Sequence, residues 1–196
     1  SYDVLVQNTL KEGLSKLYPE AKFIGEEGEQ EEFNDKGEFF IVDPIDGTTN
    51  FIKDYHMSCI SVAHVVKAEV DFAMIYNPYL DELFWAVQGE GAYCNTKRIH
   101  VSEQPLSNGI VLFGTSPYDA DLAKQSFDMA YSYFTKALDI RRSGSAALDL
   151  CAIAAGRAEL YFEMILSPWD YAAGLRIVEE AGGIVTTLDG EKPALN

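Results

Sequence analysis

Two carboxylates, Asp43 and Asp46, stand close together in the run Ile41-Val42-Asp43-Pro44-Ile45-Asp46-Gly47-Thr48-Thr49-Asn50-Phe51. Glu38 to Val42 ahead of them is a short run rich in β-branched and aromatic residues, which predicts a buried strand. Pro44 has no N–H to give a ladder, so the strand is expected to stop at Asp43, with the Ile45 carbonyl presented between the two acids. After Gly47, the residues Thr48, Thr49 and Asn50 bring hydroxyls and amides to an expected helix N-terminus. Unpaired N–H groups and the helix dipole favour an anion there. Oxygen ligands for a hard cation thus adjoin a cradle for phosphate. A phosphate ester needs its charge neutralised before water attacks it, which Mg2+ does with oxygen ligands. Asp-Pro-Ile-Asp-Gly taken alone is equally ordinary turn chemistry after a core strand.

The elements that must position these groups come from the rest of the chain. Its 196 residues, 47% of them hydrophobic, are enough for one sizeable core, so a single unit is expected, with two lobes at roughly 1–107 and 108–196. A net charge of −16, from 15 Lys and Arg against 31 Asp and Glu, argues against a nucleic-acid surface. The same charge repels a small anionic substrate at long range unless bound metal reverses the local field. Cys59, Cys94 and Cys151 show no close pairing, which suggests neither a disulfide framework nor a zinc site, and Cys59 and Cys151 read as small core residues. With no apolar run of membrane-spanning length and no signal peptide at the start, a reducing cytoplasm is the expected setting.

Apolar residues at Val6, Leu10, Leu14 and Leu17 predict an amphipathic helix over 1–18, stopped by Pro19. The acidic stretch that follows, to Gly37, reads mostly as a solvated loop. Ser58 to Val66, Glu69 to Tyr76 and Glu82 to Val87 predict hairpin-linked strands, and Ala92 to Asn95 and Arg98 to Val101 continue an antiparallel sheet. The second half alternates. Strands are expected at 109–113, 138–142, 159–163 and 183–188, and helices at 119–137, 146–155 and 169–180, which makes a layered α/β unit. Asp170, at the start of the last of these helices, is by itself a helix-capping carboxylate.

Asp43-Pro44-Ile45-Asp46-Gly47-Thr48-Thr49-Asn50-Phe51 resembles the first signature of the inositol monophosphatase family, and Ser167-Pro168-Trp169-Asp170-Tyr171-Ala172-Ala173-Gly174 resembles the second. Gly25-Glu26-Glu27 is similar to its remaining acidic element, so the likeness covers nearly the whole chain. The resemblance implies the α/β fold of alternating helix and sheet layers shared with fructose-1,6-bisphosphatase-like sugar phosphatases, with truncation at both ends expected relative to the family. It implies two or three Mg2+ per site, held by Glu26, Asp43, the Ile45 carbonyl, Asp46 and Asp170. Glu26, Thr48 and Asp43 are then catalytic. Asp46, Gly47, Thr48, Gly144, Ser145, Ala146, Glu163 and Asp170 would bind substrate, a small phosphorylated polyol or sugar. For Asp3 the resemblance offers a place near the metals, and a helix N-terminal carboxylate is the other reading.

The activity so implied is hydrolysis of inositol 1-phosphate, sensitive to lithium, by a cytoplasmic homodimer with neither nucleic acid nor membrane as partner. Fructose-1,6-bisphosphatase or broader sugar-phosphate and NADP phosphatase activity are the alternatives within the fold. A scaffold or regulatory protein that keeps the fold without turnover is the alternative outside it.

Overall fold

The computed structural model describes residues 1–28 and 31–196. Ser1 caps the first helix, α1 (Tyr2–Leu17), by accepting the Val4 N–H. Strand β1 (Lys22–Gly25) lies parallel to β2 (Glu38–Asp46). From β2 the chain runs as an antiparallel meander through β3 (Cys59–Val66), β4 (Glu69–Asn77), β5 (Glu82–Val87), β6 (Gly91–Cys94) and β7 (Lys97–Ile99). Lys67 and Ala68 both take positive φ, 52° and 62°, the handedness a two-residue hairpin between twisted strands requires.

The second sheet has three parallel strands, β8 (Ile110–Phe113), β9 (Asp139–Arg141) and β10 (Leu160–Phe162), in the order β10-β8-β9. Parallel neighbours need long crossovers, which α3 (Ala120–Phe134) and α4 (Ala146–Ala154) supply. The last helix is α5 (Pro168–Glu180), opened by a capping box between Ser167 and Asp170 with Pro168 in its first turn.

Alternation along the strands sorts the large sheet into two faces. Phe39, Ile41, Ala63, Val65, Ala73, Ile75, Phe84 and Ala86 pack on one side with residues of α4 and α5, while Phe40, Val42 and Val62 pack on the other with Leu10 and Leu14 of α1. Val111, Phe113 and Phe162 of the small sheet pack under Ala130 and Tyr133 of α3. The layers therefore run helix, sheet, helix pair, sheet, helix. Gly174 lets α4 and α5 touch, since a Cβ there would lie 2.4 Å from a Leu150 methyl.

Three expectations change. Strand β2 does not stop at Asp43 but continues through Pro44 to Asp46, because the register shifts between Asp43 and Asp46 and the proline falls in a bulge that asks no N–H of it. Residues 183–188 form no strand: Thr187 bonds back to Glu191 across a turn, and no ladder partner runs beside them among the described residues. The residues of α1 that are buried are Asp3 and Gln7, whereas Leu17 is exposed. Element ends elsewhere move by a few residues. The acidic stretch read as a loop includes Glu29 and Gln30, which lie outside the described residues.

Gly174→Val is expected to destabilise the chain by about 1–3 kcal/mol, because overpacking forces α4 and α5 apart. Thermal denaturation measures this, and an unchanged midpoint would contradict the close packing.

Candidate active site

The bulge in β2 is where the acids gather. Asp43 pairs with Ser61 and Asp46 with Cys59 across the ladder, and both acids are buried. One carboxylate oxygen from each of Asp43, Asp46 and Asp170 lies within 4.8 Å of the other two. Asp170 reaches them from the first turn of α5, where its other role is to accept the Ser167 N–H at 2.7 Å. Glu26, the residue after β1, is exposed, donates its N–H to the Val42 carbonyl at 3.3 Å, and hydrogen-bonds through its carboxyl to Asp43.

Asp46 is fastened to the N-terminus of α4. Its Oδ2 accepts the Ala147 N–H at 2.8 Å and the Ser145 hydroxyl through a very short hydrogen bond, and the Cys59 thiol lies 3.8 Å away. Ser145 also caps α4 by accepting the Leu148 N–H. The whole residue is 1% exposed, so the hydroxyl serves Asp46 and the helix.

On the other side of Asp46, Gly47 takes φ 87° and caps the short helix α2 (Thr48–Ile52). A Cβ at Gly47 would lie 2.7 Å from the Met57 carbonyl. The Thr48 hydroxyl lies 3.0 Å from the Ile45 carbonyl and 3.3 Å from Asp3 Oδ1, which settles Asp3 beside the acids at the start of α1. The Ile45 N–H turns back to Asp43 at 3.0 Å. The side-chain amide of Asn50 is not turned to an anion, since it donates to the Met57 and Ser143 carbonyls. It thereby ties α2 to the loop of Gly144, which has φ 87° and room for no more than a hydrogen beside Asn50.

Glu163, just past β10, accepts the Tyr161 hydroxyl at 2.5 Å. Its carboxylate lies where a Cβ of residue 114 would be, so Gly114 makes the space it occupies. Asp149, unassigned by the sequence reading, is buried in α4 close enough to Asp46 and Glu163 to feel both charges, and it hydrogen-bonds to Ser143. A lone acid inside the otherwise apolar helix 146–155 was the signal for it.

Burial, then the neighbouring acids Asp46, Glu26 and Asp170, push Asp43 up to about 10. Burial and the charges of Asp46, Glu26 and Glu163 raise Asp170 to about 7, against the Ser167 N–H that lowers it. Asp149 is raised to about 7 by burial, partly offset by its Ser143 hydrogen bond. Burial also raises Asp46, Glu163 and Glu26, with the Ser145, Tyr161 and Asp43 hydrogen bonds respectively opposing it. Such a set of oxygen donors, short of positive charge, fits a hard divalent cation. Asp43, Asp46 and Asp170 are the residues that could hold it, with Glu26 and the Ile45 carbonyl at their edge.

The inositol monophosphatase family model matches residues 1–196. Nus factor SuhB of Vibrio cholerae is 42% identical over 191 residues, which cover 96% of this chain and 69% of that protein. Among solved structures, inositol monophosphatase from Anabaena superposes with a TM-score of 0.92 at 33% identity, over 98% of this chain and 77% of that one. Inositol monophosphatase-II of Staphylococcus aureus, solved with inositol monophosphate and with 2′-AMP, is 28% identical, with TM-scores of 0.88 and 0.87. Those two structures are covered over 75% and 74% of their chains, and cover 99% and 98% of this one. The chain belongs to the inositol monophosphatase family.

In the metal-free protein the folded state holds protons on Asp149 and Asp170 that the unfolded chain, titrating near 3.8, has released. Stability therefore falls as pH rises from about 4 through about 7, and Asp43 extends the loss toward higher pH. The melting temperature in chelator is expected to drop between about pH 5 and about pH 8, and Mg2+ is expected to restore it at the upper value. A flat profile would contradict the charge deficit.

Proposed function

We propose that this chain is a magnesium-dependent phosphomonoester hydrolase that releases phosphate from myo-inositol 1-phosphate, with water as the nucleophile. The observation that carries the reading is the convergence of Asp43, Asp46 and Asp170 oxygens within 4.8 Å of one another. Glu26, Asp43 and the Ile45 carbonyl would hold one Mg2+, and Asp43, Asp46 and Asp170 a second. Magnesium bound there supplies charge neutralisation for the phosphate and a more acidic attacking water.

The protein's own groups do the rest. The Thr48 hydroxyl, within reach of Asp3, donates to that carboxylate and so turns a lone pair toward the water. Glu26 takes the water's proton. The backbone N–H groups of Gly47 and Thr48 grip the phosphate for in-line attack. A phosphoenzyme is not needed, since the Ser145 hydroxyl is engaged by Asp46 and burial pushes the Cys59 thiol well up. Glu163 and the Gly144 to Ala146 backbone meet the hydroxyls of the ring.

The inositol monophosphate bound to the S. aureus relative supports this substrate. The 2′-AMP bound to the same relative supports a broader site that would accept NADP or fructose 1,6-bisphosphate. A different class of role, regulatory with little turnover, is favoured by the name Nus factor carried by the V. cholerae relative. Lithium inhibition and a cytoplasmic homodimer belong to the phosphatase reading.

Phosphate release from myo-inositol 1-phosphate, fructose 1,6-bisphosphate and NADP, with and without Mg2+, separates these readings. Magnesium-dependent release from the inositol ester in preference to the others is expected, and a folded chain that releases phosphate from none would sink the phosphatase. Asp43→Asn should lose roughly 100-fold or more in turnover. It should keep its fold, because Asn is close in shape to the protonated acid that burial favours at this position.

A further inference from the structure

The most buried side chains of α1 are polar. Asp3 and Gln7, each 8% exposed, stand one turn apart on the face that meets the site. Asp3 lies beside Thr48, whereas the hydrogen bonds of Gln7 among the described residues do not go to the clustered acids. Its carboxamide instead makes a two-bond pair with the backbone of Glu27: Nε2 donates to the Glu27 carbonyl at 2.6 Å, and Oε1 accepts the Glu27 N–H at 3.1 Å. The pairing copies what a neighbouring strand would provide at the point where β1 has ended. Gly25 is shaped for it, because a Cβ on residue 25 would lie 2.2 Å from Gln7 Oε1.

We infer that Gln7 is a positioning residue for Glu26, holding the turn from which that carboxylate reaches Asp43. The inference rests on the metal-site reading above. Glu26 feels the charges of Glu27, Asp3 and Asp46, all of which repel its ionised form. Among the described residues its backbone is tied by the bond to Val42 at 3.3 Å. Against that repulsion Glu26 has its hydrogen bond to Asp43, so the placing of its backbone decides whether the carboxyl stays within reach. A neutral group with a donor and an acceptor can fix the adjacent backbone without adding charge to the cluster, and a carboxamide carries the two on separate atoms, matched to a backbone N–H and C=O. Outer groups of this kind orient the ligands of a metal and are worth about 10–100-fold in affinity.

The test uses Gln7→Met, which keeps the length of the side chain and removes both bonds. Gly25→Ala serves as a second variant, in which Gln7 is present but its carboxamide is displaced. Mg2+ binding is measured by calorimetry and by the Mg2+ dependence of the melting temperature, alongside steady-state kinetics. Both variants are expected to need roughly 10-fold more Mg2+ for half-saturation. They should keep kcat at saturating Mg2+ and the KM for the phosphate ester. Unchanged Mg2+ affinity in Gln7→Met, with only a lower melting temperature, would overturn the inference by showing a purely structural clamp. Wild-type protein that binds no Mg2+ would overturn it together with the metal site. Mg2+ binding that weakens in both variants, in a protein that releases no phosphate, would uphold the clamp and sink the phosphatase alone.

Discussion

Repulsion among like charges is the constraint to which the rest of this structure answers. Two unit charges about 4 Å apart repel by about 4 kcal/mol at an effective dielectric constant of about 20. Asp43, Asp46 and Asp170 bring three carboxylates to such distances, two of them buried. Each is met by fixed backbone donors: Ile45 for Asp43, Ala147 for Asp46 and Ser167 for Asp170. Helix N-termini are good places to find unpaired N–H groups, and α4 and α5 both point one at the cluster. The donors oppose burial and repulsion without cancelling them: burial first, and for Asp43 and Asp170 the neighbouring charges, keep the titration of all three acids raised.

Layering places those donors. The large sheet presents the end of β2, and α4 and α5 lie together on the same face of that sheet. Contact between Gly174 and Leu150 sets how close the two helices come, and so how near Asp170 stands to the residues that hold Asp46. The far face of the sheet carries α1, whose polar residues approach the site from its edge. Four separate elements thus converge on one group of acids. Each carries a mixture of core residues and one or two groups with chemical use.

Much of this was legible in the chain. The meander from β3 to β5 was written in alternating residues with turn pairs such as Lys67-Ala68 between them, and the acid pair of β2 in a short signature. What could not be read was set by partners distant in sequence. A Pro in a strand argues for an end unless one knows that the opposing strand skips a residue there. Val6, Leu10, Leu14 and Leu17 gave α1 its period, yet the depth of Asp3 and Gln7 depends on Thr48 and on the turn after β1. Nothing local to Ser145 shows that Asp46, far away in sequence, has engaged its hydroxyl. Residues 183–188 have strand-like composition, but composition does not supply a neighbour to pair with.

The bulge in β2 also settles a matter of parity. Residues an odd number of places apart on a regular strand face opposite sides of the sheet, so Asp43 and Asp46 would be separated by the thickness of the backbone. The opposing strand moves from Ser61 to Cys59, an even step, while β2 takes an odd one. That one unmatched residue turns Asp46 to the side of Asp43. The Asp-Pro-Ile-Asp spelling therefore acts as a ruler, and a proline inside it is suited to the place because the extra residue is the one with no ladder bond to lose. Were the opposing strand to keep step with β2 residue for residue, the same odd count would put the two acids on opposite faces. The count of residues between them carries as much of the site as their identity does.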